Sequence, residues 1–100
     1  MRVNWTARAK ARLKSIHHHI EQDNPTAAQA EIEKILRRSW QLAESPDIGH
    51  PLMGYASANL REVLVRPYRL IYRREDTHVD IITVLHYRQL LPLDLDPPRR

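Results

Sequence analysis

The stretch at residues 60–91, LREVLVRPYRLIYRREDTHVDIITVLHYRQLL, decides the fold. It holds three runs rich in Val, Ile, Leu, Tyr and Thr, at 60–66, 68–74 and 79–87. Those residue types suit a pleated, half-buried surface. Pro67 separates the first two runs, and Glu75-Asp76-Thr77 separates the last two. A meander of antiparallel hairpins is predicted.

Strict alternation assigns the faces. In the middle run Tyr68, Leu70 and Tyr72 share one face, and Arg69, Ile71 and Arg73 share the other. In the last run Asp80, Ile82, Val84 and His86 lie opposite Val79, Ile81, Thr83, Leu85 and Tyr87. A sheet with arginines among apolar residues has two tasks. One part packs on helices, and another meets something anionic.

Immediately upstream, residues 47–59 read as a loop, because Gly49, Pro51, Gly54 and Ser57 break every periodicity. Two amphipathic helices precede it. The second opens on Asn24-Pro25, a capping side chain followed by a proline at the first helical position. Its apolar stripe is Ala28, Ile32, Ile35, Ser39 and Leu42, and it should stop near Glu44, before Ser45-Pro46. The first should span residues 7–22, with Thr6 as N-cap and Ala9, Leu13, Ile16 and Ile20 as its stripe. The short turn between them makes an αα-hairpin whose apolar face needs a sheet. Residues 3–5 are expected to add an edge strand, and the proline-rich residues 93–100 a flexible tail. The expected class is α+β in the order β-α-α-β-β-β, one domain over residues 1–92.

Composition narrows the function. The chain has 100 residues, no cysteine, a formal charge of +4 and thirteen arginines to three lysines. Disulfides and cysteine-based metal sites are excluded. Arginine suits phosphates, carboxylates and interface ion pairs. Such a balance fits a nucleic-acid or an acidic protein partner. No apolar run reaches membrane-spanning length, and MRVNWTARAK does not read as a signal peptide, so a cytoplasmic protein is expected.

Several marks carry a family resemblance over residues 3–92. They are Trp5-Thr6, Asn24-Pro25 with Ala27-Ala28, Pro46 and Gly49, Leu60-Arg61-Glu62, Tyr68-Arg69-Leu70-Ile71-Tyr72-Arg73, and Val84-Leu85-His86 with Arg88. In this order they resemble toxins of the RelE/ParE superfamily from bacterial type II toxin–antitoxin modules. The resemblance implies a small curved antiparallel sheet packed on an αα-hairpin. It also implies an antitoxin that wraps the toxin in a hetero-oligomer. RelE-like members cut mRNA in the ribosomal A site, whereas ParE-like members poison DNA gyrase. No lysine follows Lys34, and the end at Pro92-Leu93-Asp94 has no tyrosine. Both departures from RelE-like nucleases place the pattern nearer the ParE branch.

Two sets of site residues follow. If the chain is a nuclease, the resemblance puts Arg69 in a catalytic position and His86 and Tyr87 close to two others. A histidine can act as base or acid near neutral pH, and an arginine can stabilise charge on the phosphate. If it is a binding protein, either a gyrase poison or a basic module that binds an acidic protein without toxicity, Arg61, Arg69, Arg73, Arg88 and Trp40 are the expected partner contacts. Tyr68 and Tyr72 read as core or sheet-edge packing. Trp40 reads as packing under the following loop or as a contact with antitoxin or a second copy. His17-His18-His19 point in three directions on a helix, so no metal site is expected, and no cofactor.

Overall fold

The computed structural model describes residues 1–54 and 59–92. The elements are β1 (Arg2–Trp5), α1 (Ala7–Glu21), α2 (Pro25–Gln41), β2 (His50–Pro51), β3 (Leu60–Val65), β4 (Tyr68–Arg74) and β5 (His78–His86). The expected tail at residues 93–100, with Asp94 and Asp96, lies outside the described residues.

Both helix starts follow from their caps. The Thr6 hydroxyl accepts from the Ala9 amide at 3.2 Å and donates to the Ile81 carbonyl at 2.6 Å, so one side chain caps α1 and ties it to β5. The Asn24 side chain accepts from the Ala27 amide at 3.1 Å, with Pro25 opening α2. The second helix stops three residues earlier than expected, at Gln41 rather than Glu44. Leu42, Ala43 and Glu44 each donate to the carbonyl three residues back, which tightens the last turn out of α-geometry.

The strands form one sheet in the order β1-β5-β4-β3-β2. The three expected strands are present as an antiparallel meander. Two features correct the sequence reading. β1 joins parallel to β5, Val3 beside Val79, so the sheet is mixed rather than purely antiparallel. A parallel neighbour needs a crossover, and the helical hairpin lies within that connection. His50 and Pro51, expected as loop, pair antiparallel with Glu62 and Arg61.

A third correction concerns face assignment. Tyr72 pairs with Ile81 and Ile71 with Thr83, so Ile82 is the extra residue of a β-bulge. It shifts the alternation of β5 midway. Val79, Ile81 and Val84 therefore join the helix-side core with Leu70, Tyr72, Ile16 and Ile35. Ile82 and Leu85 instead join Leu60 and Ile71 in a second cluster on the outer face, against which Leu52 and Leu91 pack. The helix stripes are buried largely as expected, with Ala9, Ile16, Ala28, Ile35, Ser39 and Leu42 closed off from solvent. Among the described residues no helix is long and apolar enough to cross a membrane.

Candidate interaction surface

The side chains of β4 fix the ends of the sheet. Tyr72 is fully buried, and its hydroxyl donates to the Pro46 carbonyl at 2.7 Å while accepting from the Gly49 amide at 3.0 Å. Burial pushes its phenol above the ordinary value, with the Gly49 bond opposing that shift. Gly49 is required by close approach: a Cβ there would lie 2.7 Å from the Glu62 carbonyl and 2.8 Å from the Tyr72 ring. Asp47, between them, gathers two cations. Its carboxylate lies 3.0 Å from Arg74 Nε and 3.7 Å from Arg61 Nε. Arg61 also donates to the Gly49 carbonyl at 2.8 Å. Arg61, an expected partner contact, is thus engaged in holding the chain's own loop to β3.

The other expected contacts are spread over the molecule. Arg69 forms a half-buried ion pair with Glu62 on the outer face. Arg73 is only 6% exposed and sits between Leu60 and Asp80 in the sheet register. Arg88 is exposed beyond β5, donating to the Tyr87 hydroxyl at 2.9 Å with its guanidinium 5.3 Å from the ring centre. Trp40 remains 58% exposed on α2 instead of packing under the following loop. Near the same helix, Trp5, Leu13, Ile32 and Leu36 line an apolar groove of about 410 Å³ between the helices.

The candidate catalytic residues do not share a face. Arg69 is paired with Leu85 of the outer cluster, whereas His86 is paired with Tyr68, which packs on the helix-side core. The His86 ring stands edge-on to Tyr68 at 5.9 Å and stacks on Tyr87 at 4.9 Å. Its Nδ1 accepts from the Arg88 amide at 3.2 Å, which leaves Nε2 as the nitrogen available for other partners.

Sequence reasoning missed what surrounds His86. Arg12 on α1 donates to the Val84 carbonyl at 3.1 Å and to Gln89 Oε1 at 3.3 Å. The same Gln89 oxygen accepts from the His86 amide at 2.7 Å. Arg12, Ser15, His19, Tyr68, His86 and Gln89 all border a polar groove of about 280 Å³. No periodicity marks Arg12, because its partners, the Val84 carbonyl and the Gln89 side chain, lie more than seventy residues along the chain.

Residues 3–91 match the family described as "ParE toxin of type II toxin-antitoxin system, parDE". The chain belongs to that family. This ParE-family chain is also 38% identical over 92 residues to the candidate toxin Y4kP of Sinorhizobium fredii, covering 91% of this chain and 93% of the relative. Its fold is similar to a chain in the chromosomal ParDE toxin–antitoxin system of P. aeruginosa (TM-score 0.70, 22% identity, 86% of this chain and 95% of that one). It is similar as well to a chain of the RelBE2 toxin–antitoxin complex of Mycobacterium tuberculosis (TM-score 0.59, 26% identity, 85% and 95% coverage). The YoeB dimer of Staphylococcus aureus shares the fold at TM-score 0.61 and 16% identity, with 89% and 98% coverage. The ParE-family chain is therefore a toxin of the type II toxin–antitoxin class, with the RelE/ParE fold.

Proposed function

We propose that this chain arrests growth by binding DNA gyrase, without bond-breaking chemistry of its own, and that a cognate antitoxin neutralises it in a hetero-oligomer. Membership of the ParE family supports the choice of target. The observation that carries the reading is the separation of Arg69 from His86 across the sheet. Cleavage of RNA by its own 2′-hydroxyl needs a base, an acid and a cation around one phosphate. Here the cation is held by Glu62 on the outer face and reaches the His86 surroundings only through the Gln89 carbonyl at 3.5 Å, while the imidazole faces α1. That arrangement supports recognition over catalysis and counts against a RelE-like ribosome-dependent endoribonuclease.

For the antitoxin, the apolar groove between α1 and α2 and the exposed Trp40 favour a contact built on buried apolar surface. The test of the main reading is to add the purified chain to gyrase and relaxed plasmid. Loss of supercoiling in proportion to the chain supports it. Full supercoiling at large excess, together with A-site cuts in a translated mRNA, overturns it.

A further inference from the structure

A second surface lies away from the interhelical groove and reaches the sheet's outer face only at Leu64, the cross-strand partner of Arg69. It begins in a cleft between α2 and the margin of β3, bordered by Lys34, Arg37, Arg38, Gln41, Leu64 and Val65. Leu64, 45% exposed, also borders the next groove, shared with Arg66, Pro67, Tyr68 and Tyr87. The two spaces, about 330 and 320 Å³, thus meet at Leu64, which borders both. β2 pairs only with Arg61 and Glu62, so the Leu64–Val65 end of β3 has no strand beyond it among the described residues.

The charges on this strip differ from those on the sheet. Arg61, Arg69 and Arg74 each pair with a carboxylate. Among the described residues Arg37, Arg38, Arg66 and Arg88 pair with none. Arg38 is held by the neutral Gln41 side chain, and Arg88 by the Tyr87 hydroxyl. Neither groove is bordered by an acidic side chain. Lys34 is the partly neutralised member, 3.1 Å from Glu31.

We infer that this strip is a binding site for a single strand of nucleic acid, with Arg37, Arg38, Arg66 and Arg88 on its phosphates and an unpaired base against Tyr87. Guanidinium groups free of carboxylates match successive phosphates, and they carry that preference more strongly than lysines do. The strip also ends in flat groups, since His86 stacks on Tyr87 and the Arg88 guanidinium lies over the same ring. Cations in line with exposed flat side chains are the combination that holds an unpaired strand without reading its sequence. An acidic protein would use the charges and leave the stack idle. The inference does not depend on gyrase being the target.

The experiment is fluorescence anisotropy of the full chain with a labelled oligothymidylate of about twelve nucleotides. Four phosphate contacts predict an affinity that falls about 50-fold between roughly 50 and 200 mM salt. Arg37→Glu/Arg66→Glu should abolish binding, and the milder Arg37→Gln/Arg66→Gln should weaken it at least about tenfold. Tyr87→Ala should weaken it at least about fivefold. Arg2→Glu/Lys14→Glu, with the same change in net charge elsewhere, should leave it intact. Circular dichroism confirms that each variant is folded. No binding at low salt overturns the inference. So does equal loss in both charge-reversed variants, which marks a general charge effect. Equal binding of a polyglutamate peptide, with no effect of Tyr87→Ala, overturns it in favour of an acidic protein.

Discussion

Arg69 and His86 sit on neighbouring strands yet serve opposite faces of the sheet, Arg69 beside Leu85 and His86 beside Tyr68. Under the proposed reading the two side chains share no catalytic act. His86→Ala should leave growth arrest within about threefold of wild type on an expression-titration plate, since an approximate factor of ten corresponds to ~1.4 kcal/mol of lost binding and none is expected. Primer extension on mRNA from the same cells should show no A-site cuts in either protein.

The Glu62–Arg69 pair is a positioned, half-buried contact whose side chains are 19% and 17% exposed. Arg69→Ala and Glu62→Ala should each destabilise the fold by about 1–2 kcal/mol, less than a fully buried pair would. The double variant should lose less than the sum, with a coupling of about 1 kcal/mol in urea unfolding. Strict additivity would mean that the pair is only a surface contact.

Tyr72→Phe removes an acceptor from the buried Gly49 amide and a donor from the partly buried Pro46 carbonyl. A loss of about 1–3 kcal/mol is expected. A mid-range loss lowers the melting temperature by about 10 °C in a domain of this size. Gly49→Ala should be at least as damaging, because its new methyl group meets backbone and a fixed ring.

Alkaline pH tests the same tyrosine. Burial raises the phenols of Tyr72 and Tyr68 above their ordinary value of 10.0 in the folded chain. The unfolded chain therefore loses these protons first. Their contribution to stability is whole below pH 10.0 and is lost as pH climbs through the raised folded values. Unfolding followed by circular dichroism from neutral to strongly alkaline pH should steepen above that point. In Tyr72→Phe, the slope should be shallower.

Trp40 makes a separate prediction, because it is 58% exposed and outside the core. Trp40→Ala should change stability by no more than about 0.5 kcal/mol. If α2 is the antitoxin's seat, the same change should weaken the complex by about 2 kcal/mol or more in calorimetry.

Local signals carried the helices and the three long strands, because caps and periodicity act within a few residues. Thr6, Asn24 and Pro25 each do what their chemistry requires. What stayed hidden depends on partners far along the chain. The bulge at Ile82 arises only from pairing with Ile71 and Tyr72, and it alone overturns strict alternation in β5. The direction of β1 shows only in its pairing, Val3 beside Val79 and Trp5 beside Ile81, more than seventy residues away. Among the site residues, arginine content was legible but its disposition was not. Asp47 and Glu62 take Arg61 and Arg69 out of the free set, and neither pairing has a short-range signature. Arg37, Arg38 and Arg66 carry no motif in the sequence, and only the β3 margin brings them near one another.

The most direct measurement of the central claim is the amount of plasmid trapped as a gyrase–DNA cleavage complex at rising concentrations of the purified chain. Protein is digested with detergent present before electrophoresis, so that trapped breaks appear as linear plasmid. The account predicts linear DNA that accumulates with the chain, requires gyrase and disappears when antitoxin is added first. Background levels of linear DNA at every concentration, from a chain that still arrests growth, would contradict it.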